Sequence, residues 1–190
     1  FRSDQSWELH PGDGCLGIDR KSVSVFLQAR RGNVPLTGTM TTSGGTEAFE
    51  QMVGMLDYPM YVVTTGAWDR PVGCLVGFAT QASIDPPRFL VGLSPRNHTF
   101  TSAATATHLG VHVLPRARWD LARLFGSASG DDTDKFGQCD WQAGPMGVPI
   151  LDDAAAWFVG AVLARIDMGD HVGHLLKPVA GSAAPRKTAL

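Results

Sequence analysis

The stretch GCLVGFATQASIDPP, residues 73–87, runs straight into RFLVGLSPRNHT, residues 88–99. Residues 72–82 form an apolar run about as long as a barrel strand, and Pro86-Pro87 stops it. Residues 88–93 read as a second strand. The polar loop Ser94-Pro95-Arg96-Asn97-His98-Thr99 then leads into a helix of small residues, expected over 99–107.

Working outward toward the N-terminus, residues 61–65 are a β-branched strand and residues 66–71 a turn cluster. Residues 46–56 have helical spacing. Phe49, Met52, Val53 and Leu56 fall on one face, Thr46 can cap the start, and Asp57 with Pro59 ends it. Toward the C-terminus, residues 111–114 read as a short buried strand. Residues 116–125 read as a helix with Trp119, Leu121, Ala122, Leu124 and Phe125 inward. Residues 127–140 are a polar, Gly- and Asp-rich loop. Residues 156–166 are a long strand, 167–170 a turn, 171–179 the last strand and 180–190 a small polar tail. Trp157 and Phe158 read as core. Six or so strands with short, irregularly placed helices lack the βαβ rhythm of a parallel sheet. The expected class is mainly β: an antiparallel barrel with helices over its ends.

Composition agrees. Of 190 residues, 22 are glycine and 12 proline, about 18% against a usual ~12%, an excess that favours turns over a helix bundle. With 44% hydrophobic residues, the chain can bury a sizeable core. A net charge of −2 gives nucleic acid or an anionic membrane no electrostatic attraction. The longest uncharged apolar run covers residues 154–164, too short for the ~20 residues that a bilayer requires. Cys15, Cys74 and Cys139 are odd in number and form no CxxC, as expected of thiols in a reducing cytoplasm.

Residues 1–39 show no sustained period, and Met40 opens a polar stretch typical of a fresh start. They are expected to be a dispensable leader or, alternatively, an arm that packs on a partner subunit. In domain terms, residues 1–45 are the leader or arm, 46–180 the folded domain and 181–190 the tail. Gly12-Asp13-Gly14-Cys15-Leu16-Gly17 matches G-x-G-x-x-G. No buried strand precedes it and no acid lies between Arg20 and Met40, so it is not a dinucleotide fingerprint. No P-loop and no G-x-S-x-G elbow occurs, which speaks against a phosphate-cradling glycine loop and a serine hydrolase. His171 with His174 would point to opposite faces of a strand, and His108 with His112 lacks a third ligand, so no metal site is expected.

The Gly-opened strand, the S-x-D-P-P of residues 83–87 and the loop ending in Thr99 are followed in order by four further features. These are Leu121…Phe125, Lys135-Phe136, Trp141 and Gly169-Asp170-His171. From about Asp57 to Val179 this ordered set resembles the flavin reductase-like family of FMN-binding split barrels. The resemblance implies a six-stranded antiparallel Greek-key split β-barrel with short flanking helices, usually a homodimer with flavin at the interface. It implies FMN, or FAD, as cofactor, NADH or NADPH as reductant, and a monooxygenase as a possible recipient of reduced flavin. It leaves two alternatives: a flavin- or haem-binding module without reductase turnover, and a split-barrel oxidase or deazaflavin-dependent reductase. Fold alone does not choose among them. One departure stands out. Many members carry Thr and Ser where this chain has Leu75, Gly77 and Phe78. Those hydroxyl contacts are lost, while backbone contacts from the same turn remain.

A flavin needs amide donors and acceptors along its polar edge, apolar cover on its faces and several donors for its phosphate. Gly77, Phe78, Ala79, Thr80, Gln81, Ala82 and Ser83 are the candidates for the ring edge, with small Ala79 and Ala82 allowing close backbone approach. Ser94, Arg96, Asn97, His98 and Thr99 are the candidates for the phosphate, since a charge and several donors precede a helix. Phe136 joins them through the resemblance. The same source brings His171 close to flavin and nicotinamide. Hydride transfer needs alignment rather than a general base, so His171 is expected to position the reactants.

Overall fold

The computed structural model describes residues 44–66, 69–130 and 132–183. The expectation for residues 1–39 therefore lies outside the described residues. Seven antiparallel strands form one sheet: β1 (Tyr61–Thr65), β2 (Val72–Val76), β3 (Ala79–Ser83), β4 (Arg88–Leu93), β5 (His108–Val113), β8 (Ala156–Asp167) and β9 (Val172–Ala183). Their order is β2-β1-β5-β8-β9-β4-β3. A separate hairpin pairs β6 (Trp141–Ala143) with β7 (Pro149–Leu151). The helices are α1 (Gly45–Val53), α2 (His98–Ala103) and α3 (Trp119–Ser127).

The expected single strand over residues 72–82 breaks into β2 and β3 at Gly77-Phe78. The Gly92 N–H donates to the Phe78 carbonyl at 2.7 Å and the Ala79 N–H to the Gly77 carbonyl at 3.0 Å, so the chain turns there instead of continuing. β2 and β3 are the two edges of the sheet, yet only two residues separate them. A sheet whose opposite edges belong to one bent run must curl around. Val63, Cys74, Val76, Val91, Leu93, Leu109, Val111 and Leu176 form one buried cluster. A second cluster comprises Val62, Leu121, Phe125, Phe136 and Leu151. Val62 and Val63 are consecutive on β1, hence on opposite faces, so this strand is buried on both sides. Each such side chain contributes roughly 1.5–3 kcal/mol.

Several expectations are corrected. The first helix spans Gly45–Val53 rather than 46–56, with Gly44 instead of Thr46 at its N-cap, and none of its residues is buried: Phe49 is 58% and Met52 48% exposed. Residues 116–118 form a 3-10 turn, so α3 starts at Trp119, which is 51% exposed rather than inward. α2 ends at Ala103, and β5 begins at His108 instead of residue 111. The last strand continues to Ala183, past the expected Val179. The β6–β7 hairpin inside the region beyond Phe136 was not anticipated. No described helix is long and apolar enough to cross a membrane.

Candidate functional site

The turn between β8 and β9 is held from within. Gly169, at φ +100°, takes a conformation that glycine tolerates best. Asp167 Oδ1 accepts the Gly169 N–H at 2.9 Å, and the His171 carbonyl accepts the Met168 N–H at 3.0 Å. This turn sets His171 at the mouth of β9. Its Nδ1 lies 2.7 Å from Asp170 Oδ1. Its ring meets that of Phe78 edge to face, with centroids 4.8 Å apart. Phe78 sits at the break between β2 and β3 and is half exposed. The hydrogen bond from His171 holds the Asp170 carboxyl below the usual carboxylate range, and the Arg96 charge adds to this.

Gly92 and Gly173 are paired across β4 and β9 beneath this rim. A Cβ on Gly92 would stand 3.1 Å from Phe78 Cβ, and one on Gly173 would stand 2.5 Å from Met168 Sδ. Two glycines facing each other let Phe78 and Met168 settle close to the sheet.

β3 continues from Phe78 as an edge strand. Among the described residues it pairs with β4 alone, and no strand pairs with its other backbone edge. Thr80, Gln81 and Ala82 are exposed. The Gln81 Nε2 donates to the Ser83 carbonyl at 3.2 Å, where a bulge interrupts the pairing.

The loop 94–99 runs from this rim to the interior. Asn97 Oδ1 accepts the Thr99 N–H at 3.0 Å and caps α2. Thr99 is buried beside Cys74. Burial pushes the Cys74 thiol up to about 11, while the Thr99 hydrogen bond, the Lys135 charge and the Asn97 hydrogen bond pull the other way. Lys135 is itself buried. Its Nζ donates to the Gly73 carbonyl at 3.2 Å and to the Phe125 carbonyl at 3.3 Å, and burial lowers its pKa. His98 faces a cleft of about 850 Å³ whose wall also includes Arg70, Lys135, Phe136 and Trp141. Among the described residues no three His, Cys, Asp or Glu side chains gather as a metal site.

The predicted residues thus fall into two groups. Phe78, the neighbouring edge strand (Ala79, Thr80, Gln81, Ala82, Ser83), Arg96 and His171 belong to the rim. His98 and Phe136 belong to the cleft, with Asn97 and Thr99 between the two. Phe136 is also a core side chain, stacked edge to face on Phe125 and Trp141. Sequence reading missed Asp170 as a partner of His171, although the Gly-Asp-His order held it in view. It also missed Met168 and the burial of Lys135. Nothing in a lysine within an acidic loop marks it as interior.

Residues 53–189 match the family described as "Flavin reductase like domain". The reductase subunit Stc3 of stachydrine N-demethylase from Rhizobium meliloti (strain 1021) is 32% identical over 118 residues, covering 60% of this chain and 50% of that protein. The FMN reductase (NADH) SmoA of Agrobacterium fabrum is 28% identical over 135 residues, covering 70% and 75%. A solved flavin reductase domain protein from Arthrobacter sp. FB24 superposes with a TM-score of 0.66 at 25% identity, over 74% of this chain and 86% of that one. The chain spans only about a third to a half of several curated relatives. It covers 35% of a probable flavin reductase of Rhizobium meliloti to which it is 32% identical.

Proposed function

This chain belongs to the flavin reductase like domain family, and from that premise we propose that it is an NAD(P)H-dependent flavin reductase holding FMN. The observation that carries the reading is the rim itself. A strand at the edge of the sheet, unpaired on one side among the described residues, begins directly after Phe78, and Phe78 touches His171. The donor set fits a flavin. The open edge of β3 offers amide and carbonyl groups to the polar edge of the ring system, Phe78 and Met168 offer apolar surface to a face, and Arg96 offers a charge to the phosphate. When bound, the flavin supplies the hydride acceptor and electron carrier. The chain's own part is alignment and exclusion of water. We assign His171 to the positioning of the reactants, Arg96 to the phosphate, and Asn97 and Thr99 to the shape of the loop that carries Arg96. His98 and Phe136 line the cleft side of the approach, while Ser94 belongs to the Arg96 loop, where its Oγ accepts the Arg96 N–H at 3.4 Å.

The curled sheet reads as the split barrel, and the assembly as a homodimer. The exposed apolar side of α1 (Phe49, Met52, Met55, Leu56) and the apolar groove lined by Tyr61, Trp157 and Phe158 support this. The names of relatives that serve as reductase subunits support delivery of reduced flavin to a monooxygenase. A cytoplasmic setting fits a nicotinamide-dependent reductase. The test of the cofactor assignment is affinity for FMN and for riboflavin. Arg96→Ala should weaken FMN roughly tenfold or more, as expected for a lost charged hydrogen bond, and leave riboflavin nearly unchanged. Equal weakening of both ligands would remove Arg96 from the phosphate.

A further inference from the structure

We infer that Asp170 and Phe78 are positioning residues that fix the tautomer and the ring plane of His171, so that in its neutral form this side chain offers its ligand an unprotonated Nε2. An ionised carboxylate only accepts hydrogen bonds. Its oxygen stands 2.7 Å from Nδ1, so Nδ1 carries a proton. A neutral imidazole has one N–H, and with that proton on Nδ1 the Nε2 is an acceptor.

The ring cannot easily turn away from this arrangement. Phe78 stands at 82° to it with centroids 4.8 Å apart. Phe78 is in turn anchored through its carbonyl to the Gly92 N–H at 2.7 Å and rests against Gly92. The His171 carbonyl is tied to the Met168 N–H within the same turn. The His171 side chain is 16% exposed, whereas that of Asp170 is 93% exposed. The carboxylate therefore acts on the imidazole from the solvent side without being packed into the fold.

An Nε2 lone pair suits a ligand that presents an amide or imide N–H. The nicotinamide carboxamide and the flavin imide both do so. This last step rests on the flavin reductase reading; the tautomer does not.

The test is the nitrogen-15 spectrum of the full chain labelled in histidine, without flavin or nicotinamide, at a pH where His171 is neutral. His171→Gln supplies the assignment. The wild type should show Nδ1 at the protonated position and Nε2 at the unprotonated one. Asp170→Ala should shift His171 toward the Nε2–H form. Phe78→Ala should keep the tautomer and broaden the His171 signals as the ring plane loosens. A wild type dominated by Nε2–H, or a spectrum that Asp170→Ala leaves unchanged, overturns the tautomer assignment. Unchanged line shapes in Phe78→Ala overturn the brace. These readouts stand even if the protein reduces no flavin, so the two readings fail separately. A second arm identifies the donor. Reduced 3-acetylpyridine adenine dinucleotide lacks the carboxamide N–H, and N3-methyl FMN lacks the imide N–H. One of them should bind up to about tenfold more weakly than its parent, the worth of one neutral hydrogen bond. Asp170→Ala should erase that difference. If neither analogue is discriminated, the acceptor role of Nε2 falls.

Discussion

The rim at His171 and the interior around Lys135 each bring titratable groups together, and they respond in opposite ways. At the rim the partner dominates: the His171 hydrogen bond pulls the Asp170 carboxyl down, and solvent reaches the carboxylate. In the interior burial dominates: the Cys74 thiol is pushed up to about 11 and the Lys135 amine is lowered. Both interior groups are thus driven toward their neutral forms, although each sits in the other's field. The cost of desolvation exceeds what the partner returns. A cluster of polar side chains therefore says little about chemistry until its access to water is known. The rim leaves its carboxylate in water. The interior holds the loops that carry the rim.

The largest effect that would sharpen this contrast lies at His112. It is fully buried, and burial lowers its pKa to about 4, partly opposed by its bond to the Val62 carbonyl. The unfolded chain takes up this proton near pH 6.5 while the folded chain resists it until about pH 4. Stability from this residue is thus complete above about pH 6.5 and falls as the pH drops toward 4, by roughly 3 kcal/mol. Urea midpoints across this range should show that fall. His112→Gln should flatten it, and an equally steep acid limb in the variant would show that other groups cause it.

Lys135→Ala should cost about 2–3 kcal/mol in urea unfolding, because two buried carbonyls lose their donor and a cavity opens. A variant as stable as wild type would move Lys135 from structure to function.

Gly110→Ala should cost about 1–3 kcal/mol, since a Cβ there would stand 2.5 Å from Thr64 Oγ1 and 2.9 Å from Val148 Cγ1. An unchanged midpoint would mean that the layer beneath β7 gives way easily.

The rim should behave in the reverse sense. His171→Ala should slow flavin reduction by NADH about tenfold, near 1.4 kcal/mol, while FMN stays bound. Stopped-flow reduction rates read this directly. Loss of FMN instead would make His171 a binding residue. Asp170→Ala should change stability least, leaving the urea midpoint nearly where it is in wild type. A large loss would mean that the turn depends on that carboxylate.

How far the sequence carried this account depended on the kind of signal. β4 matched residue for residue and β8 to within one, because each is a continuous apolar run bounded by turn residues. The break at Gly77-Phe78 was hidden, since nothing in an unbroken apolar stretch marks where a backbone amide of another strand will capture a carbonyl. Periodicity in residues 46–56 located an apolar face but could not tell whether anything covers it. The three-residue strands β6 and β7 are too short to show a period. Phe78 and His171 were both singled out from sequence, 93 positions apart. Their contact arises only because β3, β4 and β9 are neighbours in the sheet.

The proposed activity is the passage of a hydride from a nicotinamide to a bound flavin. Its most direct test is anaerobic mixing of the FMN-loaded full chain with NADH and, separately, with NADPH, followed by absorbance. The oxidised flavin spectrum should disappear with one equivalent of at least one of the two. FMN that binds tightly and stays oxidised in the presence of both would contradict it.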